Sequence, residues 1–425
     1  MSQAVQIVTS TGESKSPLPE LETFLLGLGR ALVRAGAPVN VVQERLLTVA
    51  RAYGAPEALV LVFPTFLQVV AEPGRATMTE DTQYPEGTLR LDQIAELFDL
   101  LHRAEAGRIP LAEASAMLDR VCAMDRAHGA PVTVAGYVLM TVGVCLLLRS
   151  SPVDLLLGVV LSIPVGLLRL CGTQWGSLRA ILPVLSALLV SVLAFVAVDR
   201  LGVHADLRAV IAPLITFLPG VSITMGVLEV SAGDLVTGAS RLVGGMLQLL
   251  LLAFGILAGA HAAGWPGMAP LHGHPHDALG LWAPWLGVLV YGLGAAIWKS
   301  SKRRLVCWLL LVLYATWIAQ MASAHLVGGY ASGFAGALVM TIVAFAVERL
   351  PAGPPALFSF LPGFWLLVPG AIGLTGLADY LTSPQAVGPH DLASTLAAIL
   401  AIALGILCGY PVFRSLSRYL PGTPR

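Results

Sequence analysis

The most unusual chemistry in this sequence lies in two apolar stretches that are each interrupted by the tripeptide Leu-Pro-Gly. The first is Leu218-Pro219-Gly220 and the second is Leu361-Pro362-Gly363. Proline removes a backbone donor from a helix, and glycine lets the backbone leave helical geometry at low cost. Inside a membrane, such a break persists only where it is buried in protein or lines a polar cavity. Interrupted spans at matching positions of two halves therefore predict a solute-binding site between them.

Polar side chains follow the first break closely enough to act on a small solute. A helix that restarts at Gly220 would expose free amide donors and its positive dipole end, which suit a carboxylate. Ser222 and Thr224 follow within the first turns and offer hydroxyl groups. The first break therefore predicts a substrate site made of Pro219, Gly220, Ser222 and Thr224.

Two acids lie at the far end of the same span. Glu229 lies near the end of the apolar stretch, and Asp234 follows just beyond it. An acidic side chain in or at the edge of a membrane span is a candidate for carrying protons. Alternatively, either acid caps the loop or the next helix, or pairs with Arg241. The sequence leaves both interpretations open.

The second break is predicted to be double. Pro362-Gly363 and Pro369-Gly370 bracket two aromatic residues, and no charged residue lies in this stretch. Its contribution to substrate binding would come from freed backbone groups, with Ser359 and Thr375 nearby. The alternative is a kinked helix that only packs against its neighbours.

Two other groups of polar residues are weaker candidates. Gln248 lies within an apolar stretch, where a buried glutamine as often joins two helices. A loop predicted to lie outside contains His272, His274, His276 and Asp277. Alternating histidines can bind Zn²⁺ or Cu²⁺, but the intervening Gly and Pro indicate an irregular loop. No metal site is therefore predicted.

The elements that must position these residues are membrane helices. The chain has 425 residues, of which 56% are hydrophobic and 12% are charged, and its mean hydropathy is +0.80. This composition is typical of a polytopic α-helical membrane protein. Ten transmembrane helices are predicted, at about residues 132–148, 153–170, 180–198, 207–231, 235–262, 281–298, 304–323, 331–348, 355–377 and 391–413.

The distribution of Lys and Arg orients these ten spans. Basic residues concentrate on the cytoplasmic side of membrane proteins. With residues 1–130 inside, the outer segments hold only Arg149, Arg200 and Arg208. Both termini are therefore predicted to be cytoplasmic. The inner segments hold Arg169, Arg179, Arg241, Lys299, Lys302, Arg303, Arg304, Arg349, Arg414, Arg418 and Arg425.

Ten spans divide into two sets of five. An odd number of spans in each half places the second half in the opposite orientation, which predicts two inverted five-helix repeats. The two Leu-Pro-Gly breaks then both fall in the fourth span of their half. GxxxG pairs, which permit close helix packing, fall in the fifth span of each half, at Gly255/Gly259 and Gly405/Gly409.

The region before the first span is polar and predicts a separate domain. Residues 1–19 are rich in Ser, Thr and Pro and predict a disordered tail rather than a signal peptide. Residues 20–130 predict a cytoplasmic α+β domain, and the two transmembrane halves cover 131–263 and 280–416. Within the domain, helices are predicted over 21–35, from 39 to about 53, 91–106 and 111–127, and strands over 59–63, 66–71 and near 75–79.

Several classes of protein are disfavoured. The sequence contains no nucleophile elbow, phosphate-binding loop or HExxH motif. Its five cysteines form no CxxC pair, and its net charge of zero argues against a nucleic-acid partner. The sequence therefore predicts a protein that is not an enzyme and has no cofactor. The oligomeric state stays open, and a homo-oligomer is compatible with the sequence.

Several stretches resemble the threonine/serine exporter family of bacterial inner-membrane proteins. The matching stretches are LLGLGRALVRAGAPVNVVQERLLTVARAYG (25–54), VFPT (62–65), LDQIAELFDLLHRAEAGRIPLAEASAMLDRV (91–121), FLPGVSITMGVLEVSAGDLVTGASRLVGG (217–245) and FLPGFWLLVPGAIGLTGL (360–377). The resemblance runs over most of residues 20–415. It singles out Pro219, Gly220, Glu229, Gly238, Arg241, Pro362, Gly363, Pro369 and Gly370.

The resemblance implies proton-driven export of threonine and serine from the cytoplasm. Residues 225–228 are more apolar here than in many members, which carry an Asn or a basic residue there, and this leaves the substrate open. One alternative is export of a dicarboxylate such as succinate by the same fold. Because the spans offer no Lys or Arg at mid-depth, the sequence favours the amino acid. A sensor or regulated channel with a ligand-binding cytoplasmic domain is the alternative from another class.

Overall fold

A computed structural model describes most of the chain. The described residues are 18–63, 66–71, 78–81, 88–172, 176–202, 206–265, 279–327, 329–367 and 389–417. Pro369, Gly370, Thr375 and the histidine-containing loop, all named above as candidates, lie outside these ranges.

The polar N-terminal region contains four helices and one small sheet. The first two helices precede the strands and the other two follow them, as the sequence predicts. The third strand begins a few residues later than expected. The elements are α1 (Leu18–Ala35), α2 (Val39–Ala52), β1 (Leu59–Phe63), β2 (Phe66–Val70), β3 (Met78–Asp81), α3 (Leu91–Glu105) and α4 (Leu111–Ala123).

The sheet of this region is antiparallel and lies in the order β1-β2-β3. Leu59 pairs with Val70 and Phe63 pairs with Phe66, so β1 and β2 form a hairpin. The apolar face of α1 packs against α2, β2 and α4. Leu28, Leu46 and Leu67 are each fully buried in that core, as expected of a helix with an apolar stripe.

The rest of the described chain is helical. Ten helical segments fall where the ten spans are predicted, with the fourth segment made of three pieces. They are α5 (Ala130–Leu147), α6 (Pro152–Cys171), α7 (Gly176–Leu201), α8 (Leu207–Ile211) with a 3₁₀ helix (Ala212–Phe217) and α9 (Gly220–Ala232), α10 (Leu235–Ala262), α11 (Ala283–Trp298), α12 (Arg303–Leu326), α13 (Gly329–Glu348), α14 (Ala356–Leu367) and α15 (Pro389–Ser417).

The length and composition of these helices identify a polytopic membrane protein. Among the described residues, seven helices are long and apolar enough to cross a membrane, and the bent pair of Leu207–Phe217 with Gly220–Ala232 makes an eighth. The helices α11 and α14 are apolar but shorter. Large apolar side chains such as Leu156 (66% exposed) and Val243 (70% exposed) point away from the protein, as lipid-facing residues do.

The two Leu-Pro-Gly tripeptides adopt different conformations. At the first, Leu218 is extended, with φ −64° and ψ 128°, and the helix axes on either side differ by 57°. The prediction of a break at Pro362-Gly363 is wrong, because α14 runs through both residues without interruption. The Tyr291 hydroxyl of α11 donates to the Pro362 carbonyl at 2.7 Å, which joins α14 to α11.

Helices α5 and α11 pack against each other with their backbones in contact. A Cβ atom on Gly143 would overlap the backbone of Tyr291, and one on Gly294 would overlap the backbone of Met140. One on Gly287 would meet the Gly143 carbonyl oxygen. Contacts that join the end of one helix to the start of the other show that the two helices run antiparallel.

Helix α10 makes the same kind of close contact with α7 that α15 makes with α13. A Cβ on Gly255 of α10 would meet the Val184 carbonyl oxygen and Ala187 of α7, and one on Gly259 would meet Ser191. The corresponding contacts of α15 with α13 all lie 150 positions later in the chain. They join Gly405 to the Phe334 carbonyl oxygen and Ala337, and Gly409 to Thr341.

This packing predicts that glycine at the α5–α11 contact is essential for folding. We expect Gly143→Val to lower the free energy of unfolding by about 1–3 kcal/mol or more, because the added side chain must push two backbones apart. Gly244→Val in α10 is the matched control, since a Cβ there meets no atom within 4 Å. The stability of both variants is measured by thermal unfolding in detergent, with size-exclusion chromatography to monitor the folded protein. Equal losses in the two would contradict the packing.

Candidate functional site

The candidate site is built around the break between the 3₁₀ helix and α9. Pro219 disfavours helical geometry at the residue before it, and Leu218 is extended here, so that α9 begins at Gly220. The first hydrogen bond of α9 runs from the Ile223 amide to the Pro219 carbonyl at 2.9 Å. Pro219 provides no side-chain cap, so the first amides of α9 have no capping side chain.

Side chains from two other helices satisfy the carbonyls that the break releases. Gln248 of α10 donates its amide to the Phe217 carbonyl at 2.7 Å. Tyr137 of α5 donates its hydroxyl to the Pro213 carbonyl at 2.6 Å and lies 3.1 Å from the Thr216 hydroxyl. Gln248, a weaker candidate from the sequence, therefore stabilises the break by binding one of its carbonyls.

Thr224, one of the predicted substrate-binding residues, has an unusual environment. Its side chain is completely buried, yet Oγ1 has no hydrogen-bond partner among the described residues. Three other buried threonines, Thr141, Thr316 and Thr341, each donate to the carbonyl four residues earlier in their helices. A buried hydroxyl without a partner costs about 1–3 kcal/mol, so Thr224 retains an unused capacity for a polar ligand. Ser222 lies half-buried in the preceding turn.

Glu229 and Arg241 form a buried ion pair between α9 and α10. Arg241 Nε lies 2.9 Å from Glu229 Oε2, and the Glu229 side chain is only 1% exposed. The N–H bond does not point at the oxygen, so the contact is one of opposite charges without hydrogen-bond geometry. The structure thus realises the pairing that the sequence left as one alternative for Glu229.

The N-terminal region contributes the second contact of Glu229. The Val39 amide, at the start of α2, donates to Glu229 Oε1 at 3.3 Å. Amides at a helix start carry a partial positive charge, which stabilises a carboxylate. Glu229 therefore joins α9, α10 and α2, although Val39 and Glu229 are 190 positions apart.

Asp234, Gly226 and Gly238 lie where α9 meets α10. Asp234 precedes α10 without a side-chain cap, and its amide donates to the Glu229 carbonyl at 2.9 Å. Asp234 Oδ2 is buried without a hydrogen-bond partner. A Cβ on Gly238 would overlap Val230 and the Gly226 carbonyl oxygen, so only glycine permits this approach of α10 to α9.

Among the remaining predicted substrate-site residues, Pro369 and Gly370 lie outside the described ranges. Pro362 and Gly363 lie inside α14, which contacts α9, and Gly363 packs against Met340. In the ranges that the structure describes, no group of three or more His, Cys, Asp or Glu side chains could hold a metal ion.

The sequence reasoning missed a cation at the break. Arg169, near the end of α6, places its guanidinium carbon 4.4 Å from the centre of the Phe217 ring. A guanidinium at this distance from an aromatic face is attracted to it. The sequence analysis used Arg169 only to orient the spans. The signal for this contact was its position one residue before the end of the predicted span 153–170, from where a long side chain can reach a neighbouring segment.

Removing one partner of the buried pair should destabilise the protein strongly. We expect Arg241→Met to cost about 3–5 kcal/mol, because it leaves a buried carboxylate without its counter-charge. The double variant Glu229→Gln/Arg241→Met should recover part of this loss. Arg103→Met removes an exposed ion pair with Glu113 as the control, and should cost no more than about 1 kcal/mol. The test is a set of unfolding curves for the wild type, Arg241→Met, the double variant and Arg103→Met. A double variant no more stable than Arg241→Met would contradict the prediction.

The residues of the break and of the ion pair fall within a match to one known family. The family model ThrE, described as "Putative threonine/serine exporter", matches residues 23–262. The match runs from α1 to the end of α10 and so includes the break, the ion pair and Val39. Searches of curated proteins and of solved structures give no match. Because the family model covers more than half of the chain, this protein is a member of the ThrE family of membrane transporters.

Proposed function

We propose that this protein exports threonine and serine across a bacterial inner membrane and that proton entry drives the export. The observation that carries the proposal is the arrangement on α9. One end of this helix has uncapped amides and the unpartnered hydroxyl of Thr224, and the other has the buried carboxylate of Glu229. A solute site and an ionisable group on one short helix are what coupled transport requires.

The proposed architecture is ten spans in two inverted repeats, with residues 20–130 and both termini in the cytoplasm. The equivalent contacts of α7 with α10 and of α13 with α15 support the repeat. So does the reciprocal contact of α5 with α11, where Gly136 and Gly143 face Gly294 and Gly287 in antiparallel order. A twofold axis between two related halves produces such reciprocal pairs. The two shorter helices α11 and α14 would complete the count of ten.

The substrate would bind at the start of α9. Its carboxylate would accept hydrogen bonds from the first amides of α9, next to Pro219 and Gly220. Its hydroxyl would pair with Thr224 Oγ1, and Ser222 would lie two residues earlier, in the first turn of α9. A site that hydrogen-bonds a substrate hydroxyl discriminates strongly against analogues without one, because a buried partner is then left unpaired. This explains a preference for hydroxy amino acids. Pro362, Gly363, Pro369 and Gly370 would line the opposite side.

Glu229 would carry the proton, with Asp234 beside it. A proton on Glu229 removes the charge that attracts both Arg241 and the Val39 amide. Protonation would therefore loosen α10 and the N-terminal region from α9 at the same time. Such a release supports a role of the cytoplasmic domain in opening the inner side of the transporter. An oligomer is not required for this mechanism.

A dicarboxylate such as succinate is the second candidate substrate. The position of Arg169 against Phe217 favours it, since a second carboxylate would find a guanidinium at the break. The hydroxyl of Thr224 instead favours the amino acids, and competition between succinate and threonine separates the two.

Export itself is tested in cells that are preloaded with a threonine-containing dipeptide. Cells that express the protein should release threonine faster than cells with an empty vector, and a protonophore should abolish the difference. Glu229→Gln should reach the membrane but lose export, whereas Glu113→Gln, at an exposed acid, should keep it. Export by Glu229→Gln at the normal rate would remove Glu229 from the mechanism. The absence of any flux would favour a sensor.

The role of Thr224 is tested by separating stability from transport. Thr224→Val should leave the melting temperature unchanged or raise it, because the replaced hydroxyl has no partner. The same variant should raise the KM for threonine about tenfold, the effect of losing roughly 1.4 kcal/mol of binding. Thr316→Val is the control and should lose stability without a change in KM, since its hydroxyl bonds the Val312 carbonyl. A normal KM in Thr224→Val would exclude the proposed contact.

A further inference from the structure

Lys299 is a buried lysine whose charge has no carboxylate partner among the described residues. It follows α11, and its side chain lies almost entirely inside the protein. Its Nζ donates to the Thr88 hydroxyl at 2.8 Å, and its backbone carbonyl accepts from the Leu91 amide at 3.0 Å. Buried charges are normally paired, because an isolated ion is costly to remove from water. A hydroxyl alone does not provide the missing negative charge.

The charged neighbours of Lys299 are mostly cations. Arg169 of α6, Arg126 of the link between α4 and α5, and Arg90 before α3 each repel the ammonium group and lower its pKa. Arg126 lies with its guanidinium carbon 6.0 Å from the Trp298 ring centre. The nearby acid, Asp92, is already held by Arg90 through both carboxylate oxygens, at 3.1 Å each.

The electrostatic consequence is a group that titrates near neutral pH. Burial, and then repulsion by Arg169, Arg126 and Arg90, lowers the pKa of Lys299 to about 7. An anion placed among these groups would reverse the repulsion and favour the ammonium form. The surroundings are thus complementary to a negative charge that the chain itself does not supply at Lys299.

This cluster lies against the break. Trp298, next to Lys299, packs its ring 4.7 Å from the Tyr137 ring, and the Tyr137 hydroxyl bonds the Pro213 carbonyl. Arg169 both repels Lys299 and covers Phe217. A solute at the cluster would therefore be adjacent to the broken span, and separated from the Glu229–Arg241 pair on the other end of α9.

We propose that Lys299, Arg169 and Arg126 form a carboxylate-binding site beside the break, where the carboxylate of a solute is captured before it reaches the start of α9. This inference rests on the proposed function for the identity of that solute, an amino acid on its way out. Thr88 would be displaced from Lys299 by the incoming carboxylate. The N-terminal region would thereby respond to substrate at a second point, besides Val39.

The experiment compares ligands that differ only in the carboxylate. L-Threonine and L-threoninol share the amine and the hydroxyl, but threoninol has an alcohol in place of the acid. Binding to the purified full-length protein is measured by calorimetry at about pH 6 and about pH 8, on either side of the Lys299 pKa of about 7. Threonine should bind more tightly at the lower pH, where Lys299 is protonated, and threoninol should show no such dependence.

Three variants assign the effect to Lys299. Lys299→Gln should weaken threonine binding about tenfold or more at the lower pH, because one charge-assisted hydrogen bond is lost. Lys299→Arg stays charged throughout, so it should keep binding and lose the pH dependence. Lys302→Gln is the matched control, since this neighbouring lysine pairs with Glu96 and should not affect the affinity.

Each outcome separates this site from the proposed export. Normal threonine export and normal affinity in Lys299→Gln would overturn the site and leave the exporter intact. If the protein does not export threonine or serine but binds succinate in a way that depends on Lys299, the proposed substrate is overturned and the carboxylate site is supported. If the wild-type protein binds threonine and threoninol equally at both pH values, the site is overturned. The wild-type comparison also decides the question if Lys299→Gln does not fold.

Discussion

The structure depends on the rule that a backbone in hydrocarbon must satisfy its polar groups within the protein. The break before α9 releases carbonyls that water cannot reach. Gln248 and Tyr137 occupy two of them, and these side chains come from α10 and α5. A break in one span is thus possible only because two other helices are shaped to support it. Their arrangement leaves the first amides of α9 without a capping side chain, and the proposed substrate site lies there.

Buried charges also need partners inside the protein, and two of them join the N-terminal region to the membrane helices. Glu229 is buried against Arg241 and the start of α2, and Lys299 is buried beneath Thr88 and Leu91. Both charges are shielded from water by residues from the polar N-terminal region. Because a buried charge is costly without its partners, movement of that region is energetically coupled to the ionisation of both groups. Protons would act on Glu229, and carboxylates would act on Lys299.

Repeated glycine contacts explain why the helices can come so close. The contacts of α10 with α7 recur between α15 and α13, and α5 and α11 meet through glycines on both sides. Because lipid provides little hydrophobic drive for helix association, close backbone contact and dispersion must stabilise the association. The two tripeptides nevertheless differ, since Leu-Pro-Gly breaks the helix before α9 and lies inside the unbroken α14.

Local pattern was enough to predict the elements. Apolar runs and alternating segments placed most described helices and strands to within a few residues, because hydropathy and period are properties of neighbouring residues. The GxxxG pairs also followed from residue type and position, whereas the pairing of Glu229 with Arg241 was one of the alternatives that the sequence left open. Pro219 and Pro362 show the limit of such reasoning. The same tripeptide broke one helix and lies inside the other, so the local sequence alone does not decide its conformation. Only the tertiary structure brought Val39 to Glu229, Arg169 to Phe217 and Thr88 to Lys299, since each of these contacts joins residues from distant parts of the chain.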